Sequence, residues 1–233
     1  MDILLVAATS FEIQPTIDFF RAAYPNPGPT ADPRPPVLPL ITGVGSIATT
    51  WSLMRQFDHH RPDLIIQAGI AGCFTGRPAG EVLVIKEEVL ADLGVWENNR
   101  FNNLFDLKLA GPDIPPFSAG RLPNPYRKLI NLTSLEPVRS ATVNEITTDP
   151  HRIRWHQQNT AAVVEGMEGG ALHYVCLQEK IPFLQLRSVS NEVGVRDKTK
   201  WDIRLAISRL NEQLIRLLQQ LAQQDNTVLE PTN

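Results

Sequence analysis

The sequence predicts an α/β fold of three α/β/α layers, with helices on both faces of a mixed, largely parallel central β-sheet. Apolar runs such as 3–8 and 183–189 have the length and composition of buried strands. These runs alternate with segments of helical periodicity, and this alternation is typical of sheets covered by helices. Glycine pairs follow two of the runs, where a strand is expected to turn tightly into the next element.

The apolar runs and the breaks between them predict the order of the elements. Strands are expected at 3–8, 63–67, 82–85, 138–143, 161–164 and 183–189, and a run at 37–42 leads into the first glycine cluster. Helices are expected after Ser10 as N-cap, at 46–56, at 150–157 behind Thr148 or Asp149, and after Glu168. Segment 25–39 holds seven prolines and is predicted to be an irregular loop, and 93–125 is a polar, aromatic and proline-rich excursion.

The last helix has the clearest periodicity of the chain. Its apolar residues form one stripe at helical spacing: Ile203, Ala206, Ile207, Leu210, Leu214, Leu217, Leu218 and Leu221. We expect this stripe to cover one face of the sheet, with a partner-binding helix as the alternative. Residues 1–224 are therefore interpreted as a single domain, and residues 225–233 as a disordered tail.

Composition and charge exclude several classes of partner. The chain of 233 residues has 25 acidic and 22 basic residues, so its overall charge recruits neither nucleic acid nor an anionic membrane. The start of the chain lacks a basic region before its short apolar run, and no run reaches the roughly 18 apolar residues of a membrane span. Cys73 and Cys176 lie in apolar surroundings and are interpreted as buried thiols of a cytoplasmic protein. No histidine, cysteine and carboxylate cluster has metal-ligand spacing, and we expect neither metal nor cofactor.

Polar residues follow two of the predicted strands at their carboxyl ends, where ligands of α/β proteins collect. Met167 and Glu168 follow one strand, and Ser190 and Asn191 end another. A carboxylate beside an amide suits a ligand that has hydroxyl groups and a polar heterocycle. The alternative is structural, with Glu168 as the charge at a helix N-terminus and Asn191 as a turn residue.

The two glycine clusters, Gly43-x-Gly45 and Gly69-x-x-Gly72, allow backbone N–H groups to approach a ligand closely. Neither has the spacing of a dinucleotide-binding fingerprint, and neither ends in the Gly-Lys-Ser/Thr of a phosphate-binding P-loop. Tight turns without a ligand are the alternative.

The order of the motifs resembles that of the purine nucleoside phosphorylase and nucleosidase superfamily. The motifs are Glu12 after the first strand, Thr-Gly-Val-Gly at 42–45, Gly-Ile-Ala-Gly at 69–72, Glu-Gly-Met-Glu-Gly at 165–169 and Arg-Ser-Val-Ser-Asn at 187–191. The resemblance covers residues 1–222 and implies a nucleoside phosphorylase-like fold, a nucleoside as substrate, and a homodimer or higher homo-oligomer. Within the superfamily the chain looks like the hydrolytic branch that includes methylthioadenosine/adenosylhomocysteine nucleosidases, and the wording of its motifs is similar to futalosine hydrolases.

The resemblance implies a role for each matched residue. Glu12 matches the carboxylate that activates water, Glu168 the residue that binds the ribose hydroxyls, and Met167 the side chain under the sugar. Cleavage of an N-glycosidic bond needs such groups, because a carboxylate must deprotonate water while other groups hold the ribosyl cation and the departing base. The other positions implied to contact substrate are Gly69, Gly72, Ile146 and Arg187. For Arg187, bracing of the strand end or of Glu168 and a purely structural salt bridge remain alternatives.

Hydrolysis is favoured over phosphorolysis by the absence of a cation near the first strand. Phosphorylases hold phosphate through arginine, and in this superfamily one such arginine follows the first strand. Residues 7–18 contain Glu12 and Asp18 but no Lys or Arg. A carboxylate there repels phosphate and suits water.

Asn191 departs from the adenine-releasing nucleosidases, which have Asp at the matching position. The amide can donate to a 6-keto oxygen while its carbonyl accepts from a protonated N7. This pattern fits hypoxanthine and mismatches adenine, which favours a hypoxanthine-releasing enzyme. The alternatives are a methylthioadenosine/adenosylhomocysteine nucleosidase, a phosphorylase for inosine or guanosine, and a catalytically silent nucleoside-binding protein.

Futalosine has a benzoate-bearing group on its 5′ side, which calls for an apolar slot and a cation. The 93–125 excursion could provide Trp96, Phe101 and Phe105 as walls and Arg100 as the cation. Other candidates for the cation are Arg77, Lys86 and Arg196. The alternative is that the excursion is a surface loop at a subunit interface.

Overall fold

The computed structural model describes residues 1–23 and 37–232. Its strands are β1 (Ile3–Ala7), β2 (Val37–Ile41), β3 (Leu64–Cys73), β4 (Val82–Leu90), β5 (Gly94–Glu97), β6 (Arg100–Asn103), β7 (Leu122–Pro123), β8 (Pro137–Thr142), β9 (Val164–Gly166) and β10 (Phe183–Glu192). Its helices are α1 (Ser10–Ala23), α2 (Ser46–His59), α3 (Arg127–Leu132), α4 (Pro150–Asn159), α5 (Gly169–Glu179) and α6 (Ile203–Leu221). None of these helices combines the length and apolarity that a membrane crossing requires.

Eight strands form one mixed sheet, which confirms the predicted fold class. The strand order is β10-β4-β8-β9-β3-β1-β2, with β7 beside β4. β3 also pairs with β10, so the five strands β3, β10, β4, β8 and β9 close on one another. Parallel pairs predominate, and β4–β10, β3–β9 and β4–β7 are antiparallel. The closure brings the ends of β3, β9 and β10 side by side.

Two pairs of helices cover the sheet. α6 packs against α1, β3 and β10, and six of the eight residues of the predicted stripe are buried: Ala206, Leu210, Leu214, Leu217, Leu218 and Leu221. This confirms that the stripe covers the sheet. α5 packs against α2 and on β4, β8 and β10. Cys73 and Cys176 are unpaired and buried, as the composition indicated.

The prolines and the end of the chain differ from the sequence-based expectation. Most of the proline-rich segment lies outside the described residues, but Pro39 belongs to β2. β2 is an edge strand, and an edge position tolerates a residue that lacks an N–H donor. The segment predicted to be a disordered tail forms a 3-10 helix at Asn226–Leu229, because the side chain of Val228 is buried in the core.

Several strand bounds also differ, and the later ends of β3, β9 and β10 move motif residues into the sheet. β3 continues to Cys73, so Gly69 and Gly72 lie within a strand instead of in a turn after it. β10 likewise includes Asn191. β9 begins at Val164 rather than at Ala161, since Ala161 has a left-handed φ of 53° and cannot continue a strand. The Gly43–Gly45 turn does connect a strand to a helix, with positive φ at both glycines.

Candidate active site

A cavity of about 340 Å³ opens at the carboxyl ends of β1, β3 and β10, beside β9. Six residues predicted to act on substrate line it: Glu12, Gly72, Ile146, Met167, Glu168 and Asn191. They come from five separate segments of the chain, and the strand ends that carry most of them meet at one edge of the sheet. This edge is where ligands of open α/β sheets bind.

Glu12 is fixed at the start of α1 by a capping arrangement. Thr9 donates its backbone N–H (3.0 Å) and its hydroxyl (2.8 Å) to Oε2, and the backbone N–H of Ile70 donates to Oε1 (3.1 Å). The N-cap is therefore Thr9 and not Ser10, because Thr9 and Glu12 have the spacing of a capping box. Asn211 of α6 also holds this end of α1, by donating from its Nδ2 to the backbone carbonyl of Glu12 (2.9 Å).

The surroundings of Glu12 favour a proton acceptor. The side chain is only 5% exposed, and this burial raises the pKa of the carboxyl group. The positive charge of Arg187 and the donors from Thr9 and Ile70 act in the opposite direction, so the pKa rises less than burial alone would dictate. A carboxylate with a raised pKa, held by three donors beside a cavity, has the character of a general base.

Glu168 also lines the cavity, at the start of α5. The backbone N–H of Gly45 donates to its Oε1 (3.0 Å), and the hydroxyl of Ser46 donates to the carbonyl of Met167 (3.1 Å). Gly45 reaches the carboxylate because its φ of +94° turns the backbone toward the cavity. The glycine turn before α2 therefore positions Met167 and Glu168, and the carboxylate keeps lone pairs free for hydroxyl donors.

Arg187 lies beneath the cavity instead of lining it. Its guanidinium is 2% exposed, donates to Gln67 (3.1 Å) and lies 3.4 Å from Oε2 of Glu168. Gly69 leaves the space for it, since a Cβ there would lie 2.4 Å from Nη1 of Arg187 and 2.9 Å from Oε1 of Glu12. Gly69 and Arg187 therefore do not line the cavity as expected. Instead, Arg187 is a buried cation whose charge acts on both Glu12 and Glu168.

Asn191 has hydrogen-bonding capacity left for a ligand. Its Oδ1 accepts from the hydroxyl of Ser190 (2.7 Å), and its Nδ2 donates to the carbonyl of Glu192 (2.8 Å). An amide offers two lone pairs and two hydrogens, so one acceptor position and one donor position remain. That remaining pair is what the 6-oxopurine interpretation of Asn191 requires.

The predicted slot for the 5′ group does not form at the cavity. Arg100 is exposed on the β5–β6 hairpin opposite Glu97, and it does not line the cavity. Trp96 and Phe101 each pack 5.5 Å from the ring of Trp155. Composition suggested an apolar slot for the substrate, but these rings pack against Trp155 of α4.

The remaining candidates differ in placement. Phe105 packs against Phe117 with ring centroids 5.1 Å apart. Arg77 is paired with Glu136, and Lys86 is exposed on β4. Arg196 does line the cavity, where its guanidinium lies 5.4 Å from the ring of Trp201.

Glu165 is a cavity residue for which the sequence analysis assigned no role. It is 7% exposed, and burial raises the pKa of its carboxyl group, although donors from Thr147 oppose the shift. The available signal was its place in the motif at 165–169, directly before two residues that were assigned to the site. The predicted strand stopped at Val164 and so excluded Glu165.

These features define an α/β protein whose cavity, at the carboxyl ends of its strands, is lined by two buried carboxylates, Glu12 and Glu168, and by the amide of Asn191. The sequence pattern of the phosphorylase superfamily matches residues 33–223, and the chain belongs to that superfamily.

Two relatives and a solved structure show where the chain stands within the superfamily. It is 30% identical to a futalosine hydrolase of Acidothermus cellulolyticus, covering 89% of this chain and 86% of the relative. It is also 30% identical to a futalosine hydrolase of Streptomyces coelicolor, covering 91% and 93%. A methylthioadenosine/adenosylhomocysteine nucleosidase of Colwellia psychrerythraea in complex with adenine has the same fold, with a TM-score of 0.76, 17% identity, and 95% and 96% of the two chains covered.

Proposed function

We propose that this chain is a nucleoside hydrolase that cleaves the N-glycosidic bond of futalosine and releases hypoxanthine and dehypoxanthine futalosine. The observation that carries the proposal is the buried Glu12 carboxylate, which lines a cavity together with an amide, Asn191. The 30% identity to futalosine hydrolases over most of both chains supports this substrate. Two buried, unpaired cysteines support a cytoplasmic place for the reaction, which belongs to menaquinone biosynthesis.

The reaction needs four contributions from the site. Glu12 takes a proton from water, whose oxygen attacks the anomeric carbon of the ribose as the bond to the purine breaks. Glu168 accepts the ribose hydroxyls, and Met167 packs under the sugar. Asn191 donates to the 6-keto oxygen and accepts from N7–H of the departing base, whose proton comes from solvent.

The charges of the cavity favour water over phosphate as the nucleophile. Among the described residues, Arg196 is the one Lys or Arg that lines the cavity, and its guanidinium lies over the Trp201 ring. Arg187 is buried below and already faces Glu168. A phosphate ion would have to approach Glu12 without a free bidentate arginine partner.

The deciding experiment is a hypoxanthine-release assay in phosphate-free buffer with futalosine, methylthioadenosine and inosine. We expect release from futalosine that is independent of added phosphate. Faster release of adenine from methylthioadenosine would instead identify an adenine-releasing nucleosidase. Phosphate-dependent turnover would identify a phosphorylase, and binding without turnover would identify a nucleoside-binding protein.

The substitution Asn191→Asp tests whether Asn191 distinguishes a 6-oxopurine from a 6-aminopurine. We expect the preference for the 6-oxopurine over the matching 6-aminopurine nucleoside to fall about 5- to 150-fold, because a mispaired buried polar group costs roughly 1–3 kcal/mol. The measurement is the ratio of kcat/KM for futalosine to that for its 6-amino counterpart. Asn131→Asp is the matched control, since Asn131 is exposed on α3 and does not line the cavity. An unchanged ratio in Asn191→Asp would contradict the assignment.

We further propose that the chain forms a homodimer or higher homo-oligomer through α2. Ile47, Trp51 and Met54 lie one helical turn apart on that helix, and Trp51 is 66% exposed. Exposed apolar faces of this kind are typical of association surfaces. We expect light scattering to give at least twice the mass of 26.0 kDa, and Trp51→Lys to shift the protein toward monomer. A monomer at all accessible concentrations would contradict the proposal.

A further inference from the structure

A buried carboxyl group outside the cavity packs against the start of α5. Glu88 of β4 is fully buried. A Cβ on Gly169, the first residue of α5, would overlap Oε1 of Glu88, so glycine at this position leaves the space that the carboxyl group occupies. Thr142 of β8 donates its hydroxyl to Oε2 of Glu88 (2.9 Å) and accepts from the backbone N–H of Gly170 (2.7 Å). Glu88 therefore contacts the first turn of α5, directly after Glu168.

Polar side chains lead from Glu88 to a buried histidine. The amide of Gln185, on β10, lies beside the carboxyl group, with its Nε2 2.8 Å from Oε1 of Glu88. Gln185 also lies close enough to His173 of α5 to affect the pKa of its imidazole. Nδ1 of His173 is 2.8 Å from the backbone carbonyl oxygen of Leu122. The side chains of Glu88, Gln185 and His173 are fully buried, so their polar atoms need partners within the protein.

The tautomer of His173 determines which way these hydrogen bonds run. A carbonyl oxygen can only accept, so Nδ1 carries a hydrogen and donates to Leu122. Burial lowers the pKa of His173 to about 4, so the imidazole is neutral and its Nε2 is an acceptor. When the Gln185 amide has its nitrogen on Glu88, two buried acceptors lack a partner among the described residues, Oε1 of Gln185 and Nε2 of His173.

Reversal of the Gln185 amide pairs both acceptors. An amide rotated by half a turn keeps its shape and exchanges its oxygen and nitrogen. Its N–H then donates to Nε2 of His173, and its oxygen lies at Glu88. Two oxygens at hydrogen-bond distance need a hydrogen between them, and a protonated carboxyl group provides it. Burial raises the pKa of Glu88, against the effects of its hydrogen-bond donors and of the positive charge of Arg187.

We propose that Glu88 is a positioning residue that stays protonated in the folded protein and donates to Gln185, which in turn donates to His173. The hydrogen bonds then form one directed chain: the backbone N–H of Gly170, Thr142, Glu88, Gln185, His173 and the carbonyl of Leu122. This chain joins the start of α5 to the sheet beside Glu168. Because a protonated Glu88 has no charge, the charge of Arg187 acts on Glu12 and Glu168 without a third carboxylate competing for it.

Two other placements of the proton use the same atoms. An ionised Glu88 with an imidazolium at His173 would also satisfy the amide between them, but it buries two charges, and the positive charge of Arg187 acts against the imidazolium. An ionised Glu88 with a neutral His173 leaves the two acceptors unpaired. The charged or titratable groups near Glu88 are thus Arg187 of β10 and His173 of α5, while β8 faces it with the hydroxyls of Ser140 and Thr142.

Spectroscopy tests the protonation directly and needs no substrate. In the infrared difference spectrum between the unaltered protein and Glu88→Gln at neutral pH, we expect the loss of one protonated carboxyl band. The ¹⁵N NMR signals of His173, assigned in the unaltered protein through its backbone, should be those of a neutral ring with its hydrogen on Nδ1. Loss of a carboxylate band instead, or imidazolium signals from His173, would overturn the proposal. The NMR result decides the question if Glu88→Gln does not fold.

The stability of matched variants provides a second test. Glu88→Gln imitates the protonated acid, since its N–H can donate to Gln185 while its oxygen accepts from Thr142, and we expect an unchanged urea midpoint. Glu88→Leu removes both bonds, and the ratio of folded to unfolded protein should fall about 5- to 150-fold, the equivalent of one unpaired buried group. Glu87→Gln is the matched control, because Glu87 is the preceding residue of β4 and its carboxylate pairs with Arg139. Its midpoint should fall, and an equal fall in Glu88→Gln would overturn the proposal.

The pH profile separates the role of Glu88 as a neutral group from plain packing, and this arm of the test rests on the proposed hydrolysis of futalosine. In Glu88→Gln the acid limb of kcat/KM should stay where it is in the unaltered protein, because no charge is removed. Removal of an ionised carboxylate would lower the pKa of Glu12 and move the limb to lower pH, which would overturn the proposal. Failure of the unaltered protein to release hypoxanthine would overturn the proposed function alone, since the spectra and the urea midpoints would still report the state of Glu88.

Discussion

Replacement of Glu12 by Gln is expected to lower kcat for futalosine hydrolysis by roughly 10²- to 10⁴-fold, the usual contribution of a general base. The amide has nearly the size of the carboxylate and can still accept from the backbone N–H of Ile70. It cannot take a proton from water. The measurement is hypoxanthine release under single-turnover conditions, with KM compared in parallel because substrate contacts made by Glu168 should persist.

The control for this substitution is Asp18→Asn on the same helix. Asp18 is exposed and bonds to Gln14 away from the cavity, so its exchange should leave kcat unchanged. A Glu12→Gln protein that is folded and retains more than a tenth of the activity would show that another group activates water.

The pKa of Glu12 predicts the acid side of the pH profile. Burial raises this pKa above the ordinary value of 4.5, so the carboxyl group takes up its proton at a higher pH than an exposed glutamate does. The ionised form is the active base. We therefore expect kcat/KM to decline as the pH falls through this raised pKa, which the pH dependence of initial rates would reveal.

Replacement of Arg187 by Met is expected to have the largest effect on stability, lowering the free energy of unfolding by about 3–5 kcal/mol. Removal of one member of a buried ion pair leaves an uncompensated charge, and here Glu168 is only 6% exposed. The loss of positive charge also removes an influence that lowers the pKa of Glu12. Urea denaturation measures the first effect, and the acid limb of the pH profile, which should move to higher pH, measures the second.

Arg187→Lys separates charge from geometry. Lysine restores a cation but not the bond that the planar guanidinium makes to Gln67, so stability should recover only in part. Movement of the acid limb back toward that of the unaltered protein would show that the charge acts on Glu12. Equal stability of the Met variant and the unaltered protein would contradict the role of Arg187 as the shared cation.

The hydrophobic periodicity of the sequence was sufficient to predict the architecture. Alternating apolar runs and helical stripes predicted the mixed sheet and its covering helices, because burial of apolar faces dictates both patterns. Strand bounds were less predictable at β3, β9 and β10, where polar and glycine residues continue the strand. Gly72 and Asn191 nevertheless pair with each other in the sheet, because β3 has a neighbouring strand on each side at this point, β9 and β10.

The placement of cations depended on contacts between distant segments. Arg187 could be read from sequence as a substrate contact or a brace, and its burial beneath Glu12 and Glu168 follows from the absence of a side chain at Gly69. Arg100 was chosen for its aromatic neighbours, but those rings pack against α4, while the arginine stays on an exposed hairpin. Composition cannot show which partner an aromatic residue will find.

The sequence by itself determined the fold class, the family and six of the residues that meet in the cavity, because motifs at strand ends are local features. Only the tertiary structure decided that Arg187 serves two carboxylates from below. It also decided that Gly72 of β3 lies between Glu165 of β9 and Asn191 of β10. The first relation joins β10 to the starts of α1 and α5, and the second exists because β3 pairs with β9 on one side and with β10 on the other.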